Sequence, residues 1–248
     1  MVQRGLVYHS PTVADGAVYQ GYTTTASSFL AKPDGRTGER IWTAELRRDQ
    51  YHAISAVKDG DRVYTVAGGG HLAAIDDRAG DIVWMRRPEQ SNWSHSSVAL
   101  ADGRLFVGFR TGLLVAMNAA DGDTLWTHRS DDPSRIITEI TASSPAVADG
   151  TVYMGFPDGN VTALDAATGA VRWEHRTDGG IIAAPAISGD TVYAGSTDGL
   201  VHGLDRTTGR SRWSFDTGAW QASSPAVSGT SLVVGAYDGS LYGFAPRG

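Results

Sequence analysis

Thr168-Gly169-Ala170-Val171-Arg172-Trp173 closes one copy of a pattern that runs through the chain: a small residue, glycine, three residues, tryptophan. Further copies run from Thr37-Gly38 to Trp42, Ala79-Gly80 to Trp84, Asp121-Gly122 to Trp126 and Thr208-Gly209 to Trp213. The tryptophans lie 42, 42, 47 and 40 residues apart. A period in the low forties, filled with short β-rich segments, is the sequence signature of a β-propeller with four-stranded blades. Over 248 residues it gives six units, so the expectation is an all-β, six-bladed propeller of antiparallel blades, one domain over residues 1–248.

One unit can be read strand by strand. Residues 142–147 (Ala-Ser-Ser-Pro-Ala-Val) predict a short first strand, and Ala148-Asp149-Gly150 a turn. Thr151–Gly155, β-branched and aromatic, predicts the second strand, and Pro157-Asp158-Gly159 a hairpin. Asn160–Leu164 gives the third strand, and the Asp165–Gly169 turn leads to a fourth around Trp173. Asp34, Asp76, Asp165 and Asp205, with Asn118 in the third unit, share one repeat position. A side chain repeated unit by unit fixes a turn, by bonding back to its own backbone. Each tryptophan is expected to wedge between neighbouring blades, and its removal to cost about 3–5 kcal/mol. The sixth unit stops before its tryptophan strand would begin, while residues 1–6 align with the end of a fourth strand. That N-terminal strand is expected to close the ring.

Net charge is −6, which argues against nucleic acid or an anionic membrane as partner. There is no cysteine, so thiolate catalysis, disulfides and cysteine metal sites are excluded. Met1–Leu6 lacks a secretory leader and no apolar run approaches membrane length, so a soluble cytoplasmic chain is expected. Nucleophile-elbow and phosphate-loop motifs are absent, and Gly68-Gly69-Gly70 falls in a hairpin rather than before a helix.

The segments Leu164–Trp173 and Ser144–Tyr153 carry a resemblance that covers essentially the whole chain. It resembles the pyrroloquinoline-quinone-like propeller repeat family, which includes quinoprotein dehydrogenases, outer-membrane assembly lipoproteins and sensor domains of bacterial kinases. The dehydrogenase branch implies eight blades, a vicinal cysteine pair and a calcium site, none of which this sequence matches. The resemblance therefore implies a small propeller without the quinone, and no organic cofactor is expected.

In a repeat protein the recurring residues build the scaffold, and the departures are candidates for function. At the entry to the innermost strand, units one to three carry Tyr8-His9, His52 and His95, where units four to six carry Ala142, Ile182 and Ala222. Equivalent positions of consecutive blades converge on a channel mouth, so these imidazoles and the phenol are candidates for acid–base chemistry. His9, His52 and His95 are also candidates to hold a divalent metal such as zinc or iron with one position open. Against this, a channel mouth is wet, and the three lack the short spacing of a metal motif. The long connection 129–140 adds Arg135 and Glu139 as an anion clamp and an acid/base. Tyr51, Trp93, Trp220 and Gln221 lie upstream of inner strands, and Arg110 and Tyr237 sit in hairpins of the same face; these are the ligand-wall candidates. His71, His128, His175 and His202 are expected to be structural or solvated.

Two function classes remain open. The first is a binding module that recognises a peptide, partner protein or small molecule at the channel face of units one to three. The second is a small-molecule enzyme (a lyase, cyclase or hydrolase) using the His/Tyr cluster there. Fold alone does not choose between them.

Overall fold

The computed structural model describes residues 10–48, 55–91, 94, 96–110, 112–130, 143–221, 223–229 and 231–245. These form six antiparallel sheets, and the single turn of 3₁₀ helix at Gly68–Gly70 is the one helical element among them. The first sheet comprises Thr12–Ala14, Ala17–Thr23, Ser27–Pro33 and Arg40–Arg48, and the second Val57–Asp59, Arg62–Ala67, His71–Asp76 and Ile82–Arg86. The third comprises Ala99–Ala101, Arg104–Phe109, Leu113–Asn118 and Thr124–Arg129. The fourth runs through Ala146–Ala148, Thr151–Gly155, Asn160–Asp165 and Val171–Arg176, and the fifth through Ala186–Ser188, Thr191–Gly195, Leu200–Asp205 and Ser211–Asp216. The sixth has three described strands, Ala226–Ser228, Ser231–Gly235 and Leu241–Phe244. In each complete sheet the strands neighbour one another in chain order, as hairpins dictate.

The chain falls into two compact units, Met1–Phe109 with Val115–Leu125, and Arg110–Leu114 with Trp126–Gly248. In the first, Tyr19, Leu30, Trp42, Leu46, Val63 and Ile75 form a core between the first and second sheets. In the second, Tyr153, Val161, Trp173, Ile181, Val192 and Leu204 do the same for the fourth and fifth.

The Gly-to-Trp motif has a steric cause. A Cβ on Gly80 would stand 2.8 Å from the Trp42 ring, and one on Gly122 would stand 2.7 Å from Trp84. Gly169 lies as close to Trp126, and Gly209 closer still to Trp173 at 2.5 Å. Each glycine also has positive φ, between +70° and +79°, so no other residue meets both demands. The indole N–H then donates to the same neighbouring turn: Trp42 to Asp77 O at 2.8 Å, Trp84 to Ala119 O at 3.1 Å, Trp126 to Ala166 O at 3.2 Å and Trp173 to Arg206 O at 2.9 Å. One glycine therefore makes room for the preceding tryptophan, and one carbonyl fixes its rotation.

The repeated turn aspartates act as expected. Asp34 Oδ1 accepts from the Arg36 and Thr37 amides, Asp165 Oδ1 from those of Ala167 and Thr168, and Asp205 Oδ1 from those of Thr207 and Thr208. Asn118 in the third unit accepts from the Ala120 amide with its own Oδ1. The first strands are shorter than read from sequence. They begin directly after Pro11, Pro145, Pro185 and Pro225, and in the third unit directly after Val98 at the same repeat position.

Candidate functional site

Of the residues singled out from sequence, Tyr8, His9, Tyr51, His52, Trp93, His95, Arg135 and Glu139 lie outside the described residues, as does the proposed closing strand 1–6. Among the described residues no group of three or more His, Asp or Glu is placed to hold a metal ion. Arg110 is half-buried in the third sheet's hairpin. The structure brings Trp220, Gln221 and Tyr237 together at one end of the sixth sheet.

That end departs from its counterpart one repeat earlier. Between the fourth and fifth sheets the connection is Thr177-Asp178-Gly179-Gly180-Ile181; between the fifth and sixth it is Thr217-Gly218-Ala219-Trp220-Gln221. The backbone bonds match. Ile181 N–H donates to Phe156 O at 3.0 Å, and Gln221 N–H to Ser196 O at 3.1 Å. Thr197 N–H donates to Gly180 O, and Tyr237 N–H to Trp220 O, both at 3.0 Å. The side chains differ at all three departing positions. Where Ile181 is fully buried against Gly155, Gln221 is fully buried against Gly195, and a Cβ on that glycine would stand 2.7 Å from the glutamine Cβ. Where a Cβ on Gly180 would meet Pro157 O at 2.8 Å, Trp220 projects 53% exposed. Where Thr197 is buried, Tyr237 is 73% exposed.

Trp220 and Tyr237 pack edge to face, with centroids 6.3 Å apart and ring planes at 72°. Beneath them the Gln221 amide Nε2 donates to Thr217 Oγ1 and to Ala219 O, the latter at 2.8 Å, which pins the loop carrying Trp220. Its Oε1 is buried without a hydrogen-bond partner, a condition that costs about 1–3 kcal/mol. A polar side chain thus sits at the position that Ile181 fills one repeat earlier, and its amide bonds to the loop that carries the exposed indole.

The loop and the hairpin that carry the pair each hold a carboxylate. Asp216 Oδ1 accepts from the Gly218 amide at 2.7 Å, at the root of the same loop. Asp238, next to Tyr237, accepts from the Ser240 amide at 2.8 Å. The Tyr242 hydroxyl lies 3.2 Å from both Asp238 Oδ2 and Thr217 O, tying hairpin to loop. The Ser240 amide holds the Asp238 carboxyl below the usual carboxylate range. Burial, reinforced by Asp238, pushes the Tyr242 phenol up. Sequence reasoning passed over Asp216 and Asp238, because an Asp near a Gly reads as a turn. The available signal was compositional: residues 177–205 and 213–245 contain no Lys or Arg. Those two stretches therefore offer no Lys or Arg to pair with a polycarboxylate anion such as pyrroloquinoline quinone.

Two other clusters carry charge or imidazole. A cavity of about 210 Å³ at the opposite end of the fourth and fifth sheets is lined by Tyr153, Trp173 and the Arg206–Asp149 ion pair. The first two sheets carry its counterpart: Trp42 bonds to Asp77 O, and Asp77 takes Lys32 at 2.7 Å and the Tyr19 hydroxyl at 2.6 Å. Burial works against ionisation of Asp77, but the Lys32 and Tyr19 bonds overcome it and hold its carboxyl low. A cluster that recurs with its charges exchanged is scaffold. The second is His202, buried on Leu200–Asp205, whose ring lies 5.6 Å from that of half-buried His175. Its Nε2 has no hydrogen-bond partner and stands 3.9 Å from Asp198 Oδ2. Burial lowers the pKa of both imidazoles, as befits packed rather than solvated histidines.

Among the described residues no helix is long and apolar enough to cross a membrane. The family model described as outer membrane protein assembly factor BamB matches residues 26–181 and 176–247. No curated protein matches the chain. The fold is similar to BamB from Moraxella catarrhalis, at 21% identity over 96% of this chain and 85% of that one, with a TM-score of 0.58. It is similar to the computationally designed Ika8 protein at 18% identity, over 97% of this chain and 71% of that one, with a TM-score of 0.78. A third likeness is to quinohemoprotein alcohol dehydrogenase from Comamonas testosteroni, at 20% identity and a TM-score of 0.66; it takes in 85% of this chain but 43% of the dehydrogenase. With a family match over most of its length and the repeated Trp-docked sheets that go with it, the chain belongs to the BamB-like, PQQ-like β-propeller repeat family.

Proposed function

We propose that the chain is a protein-interaction module that takes a peptide segment of a partner at the hairpin end of its fifth and sixth sheets. The observation that carries this is the Trp220–Tyr237 pair: two large aromatic side chains, 53% and 73% exposed, at positions that are Gly180 and Thr197 one repeat earlier. Exposed aromatics held in a fixed geometry are favourable interface anchors, because little side-chain entropy is lost when a partner covers them. The loop beneath is fixed by Gln221, so the patch is formed before any partner arrives. The family's description as an assembly factor supports an interaction role. The channel-face and catalytic readings of His52, His95, Tyr8, His9, Arg135 and Glu139 rest on residues outside the described set.

Affinity capture from source cells, with wild-type chain beside a Trp220→Ala/Tyr237→Ala variant of equal melting temperature, tests this. A partner retained by the wild type and lost from the variant is expected. An identical set of retained proteins would refute the site.

A further inference from the structure

We infer that the segment recognised at Trp220 and Tyr237 is cationic, an Arg- or Lys-bearing peptide of the partner protein; this rests on the interaction-module reading above. Three features of the sixth sheet's hairpin end combine. The edge-to-face arrangement of the rings, 6.3 Å apart at 72°, leaves ring surface open to solvent, and the face of an indole or phenol attracts a guanidinium or ammonium group. Asp216 lies at the root of the loop that presents Trp220, and Asp238 directly follows Tyr237, so each of the two segments that carry the aromatic pair also carries a carboxylate. No cation of the same stretches competes for them: residues 177–205 and 213–245 contain no Lys or Arg.

The contrast with the opposite end of the fourth and fifth sheets is direct. There Asp165, Asp190 and Asp205 are engaged by Arg172 and Arg212 within the chain, at 2.6–2.8 Å. Among the described residues, Asp216 accepts from the Gly218 amide, and Asp238 from the Ser240 amide and side chain and the Tyr242 hydroxyl, none of them a cation. A carboxylate has acceptor sites beyond these bonds, and a charge-assisted hydrogen bond from a partner's cation can use them. An aromatic pair whose two segments each carry a carboxylate suits the planar, multiply donating guanidinium best, and a lysine ammonium next.

The test is fluorescence anisotropy with labelled short Gly/Ser peptides that carry Arg, Lys, citrulline, Glu or Phe at otherwise identical positions, at low and high salt. The Arg and Lys peptides are expected to bind, the citrulline and Glu peptides to bind about tenfold more weakly or not at all, and added salt to weaken the basic ones. Trp220→Ala, and separately Asp216→Asn with Asp238→Asn, are each expected to weaken Arg-peptide binding by about tenfold. Asparagine keeps the Oδ1 acceptor that holds each turn, so the second variant removes charge while leaving the loop supported. If Phe or citrulline peptides bind in a Trp220-dependent way with no preference for basic ones, the charge inference falls and the module stands. If no peptide of the panel shows Trp220-dependent binding, both fall. If basic peptides bind Trp220→Ala as well as wild type, they are adsorbing to a chain of net charge −6 and the inference is overturned.

Discussion

Replacing Gly209 by alanine isolates the contact on which the scaffold depends. Gly209 has φ +70°, and a Cβ there would lie 2.5 Å from Trp173 Cε3 and 2.6 Å from Cδ2. The left-handed backbone alone costs a residue with a Cβ about 1–2 kcal/mol. The methyl would also drive into an indole that cannot swing away without breaking its 2.9 Å bond to Arg206 O, and overpacking of this kind costs about 1–3 kcal/mol. The sum is about 2–5 kcal/mol. Gly189 is the matched control: its φ is +56°, but nothing lies within 4 Å of the added methyl, so only the backbone cost of about 1–2 kcal/mol applies. At roughly 2–4 °C per kcal/mol for a chain of this size, the Gly209→Ala melting temperature should fall about twice as far as that of Gly189→Ala. Urea unfolding followed by tryptophan fluorescence gives the same comparison, because Trp173 is itself a reporter. Equal losses for the two variants would refute the claim that each turn glycine exists to admit the preceding tryptophan.

Other expectations follow from the same contacts. Asp205→Ala should lower the melting temperature while Asp205→Asn retains most of it, since Asn118 already fills that position in the third unit; equal losses in a thermal scan would count against the turn-fixing role. His202, facing His175, Asp198 and Asp178, is held below the ordinary imidazole range by burial, so the unfolded chain binds the proton more readily. Stability should therefore be level above about pH 6.5 and fall as the pH drops below it, and His202→Leu should flatten that part of the melting-temperature profile. Trp220→Ala and Tyr237→Ala should each change stability by no more than about 0.5 kcal/mol, as expected of exposed side chains, and a large loss in urea melts would mark them as core. Gln221→Ile places there the residue found one repeat earlier at Ile181 and removes an unpaired buried oxygen; it should be neutral or stabilising by about 1 kcal/mol while weakening capture of the partner.

The scaffold was legible because each of its devices repeats. Trp42, Trp84, Trp126 and Trp173 recur with their glycines, and Asp34, Asp76, Asp165 and Asp205 with their turns, so the reading of one unit carries to the next. Thr151–Gly155 appears as a strand with the bounds its β-branched and aromatic residues imply. Of the strand implied by residues 142–147, the described residues give only Ala146 and Val147, within Ala146–Ala148. Of the site, Trp220, Gln221 and Tyr237 were visible as departures from the repeat. Their cooperation was not: that a buried glutamine amide steers an exposed tryptophan depends on Gly195 leaving room for it, which no local pattern records. Asp216 and Asp238 were hidden for the opposite reason, since in sequence they look like every other turn aspartate. Only the arrangement of strand ends separates them from Asp165 and Asp205, which meet arginines at the other end.

The most direct measurement places a photo-crosslinking amino acid at Tyr237, and separately at Val171, which is 48% exposed at the opposite end of the fourth sheet, in chain expressed in its source cells. The account predicts a discrete protein adduct from position 237 that is lost when Trp220 is also alanine, and none from position 171. Adducts from position 171 alone, or from position 237 with no dependence on Trp220, would contradict it.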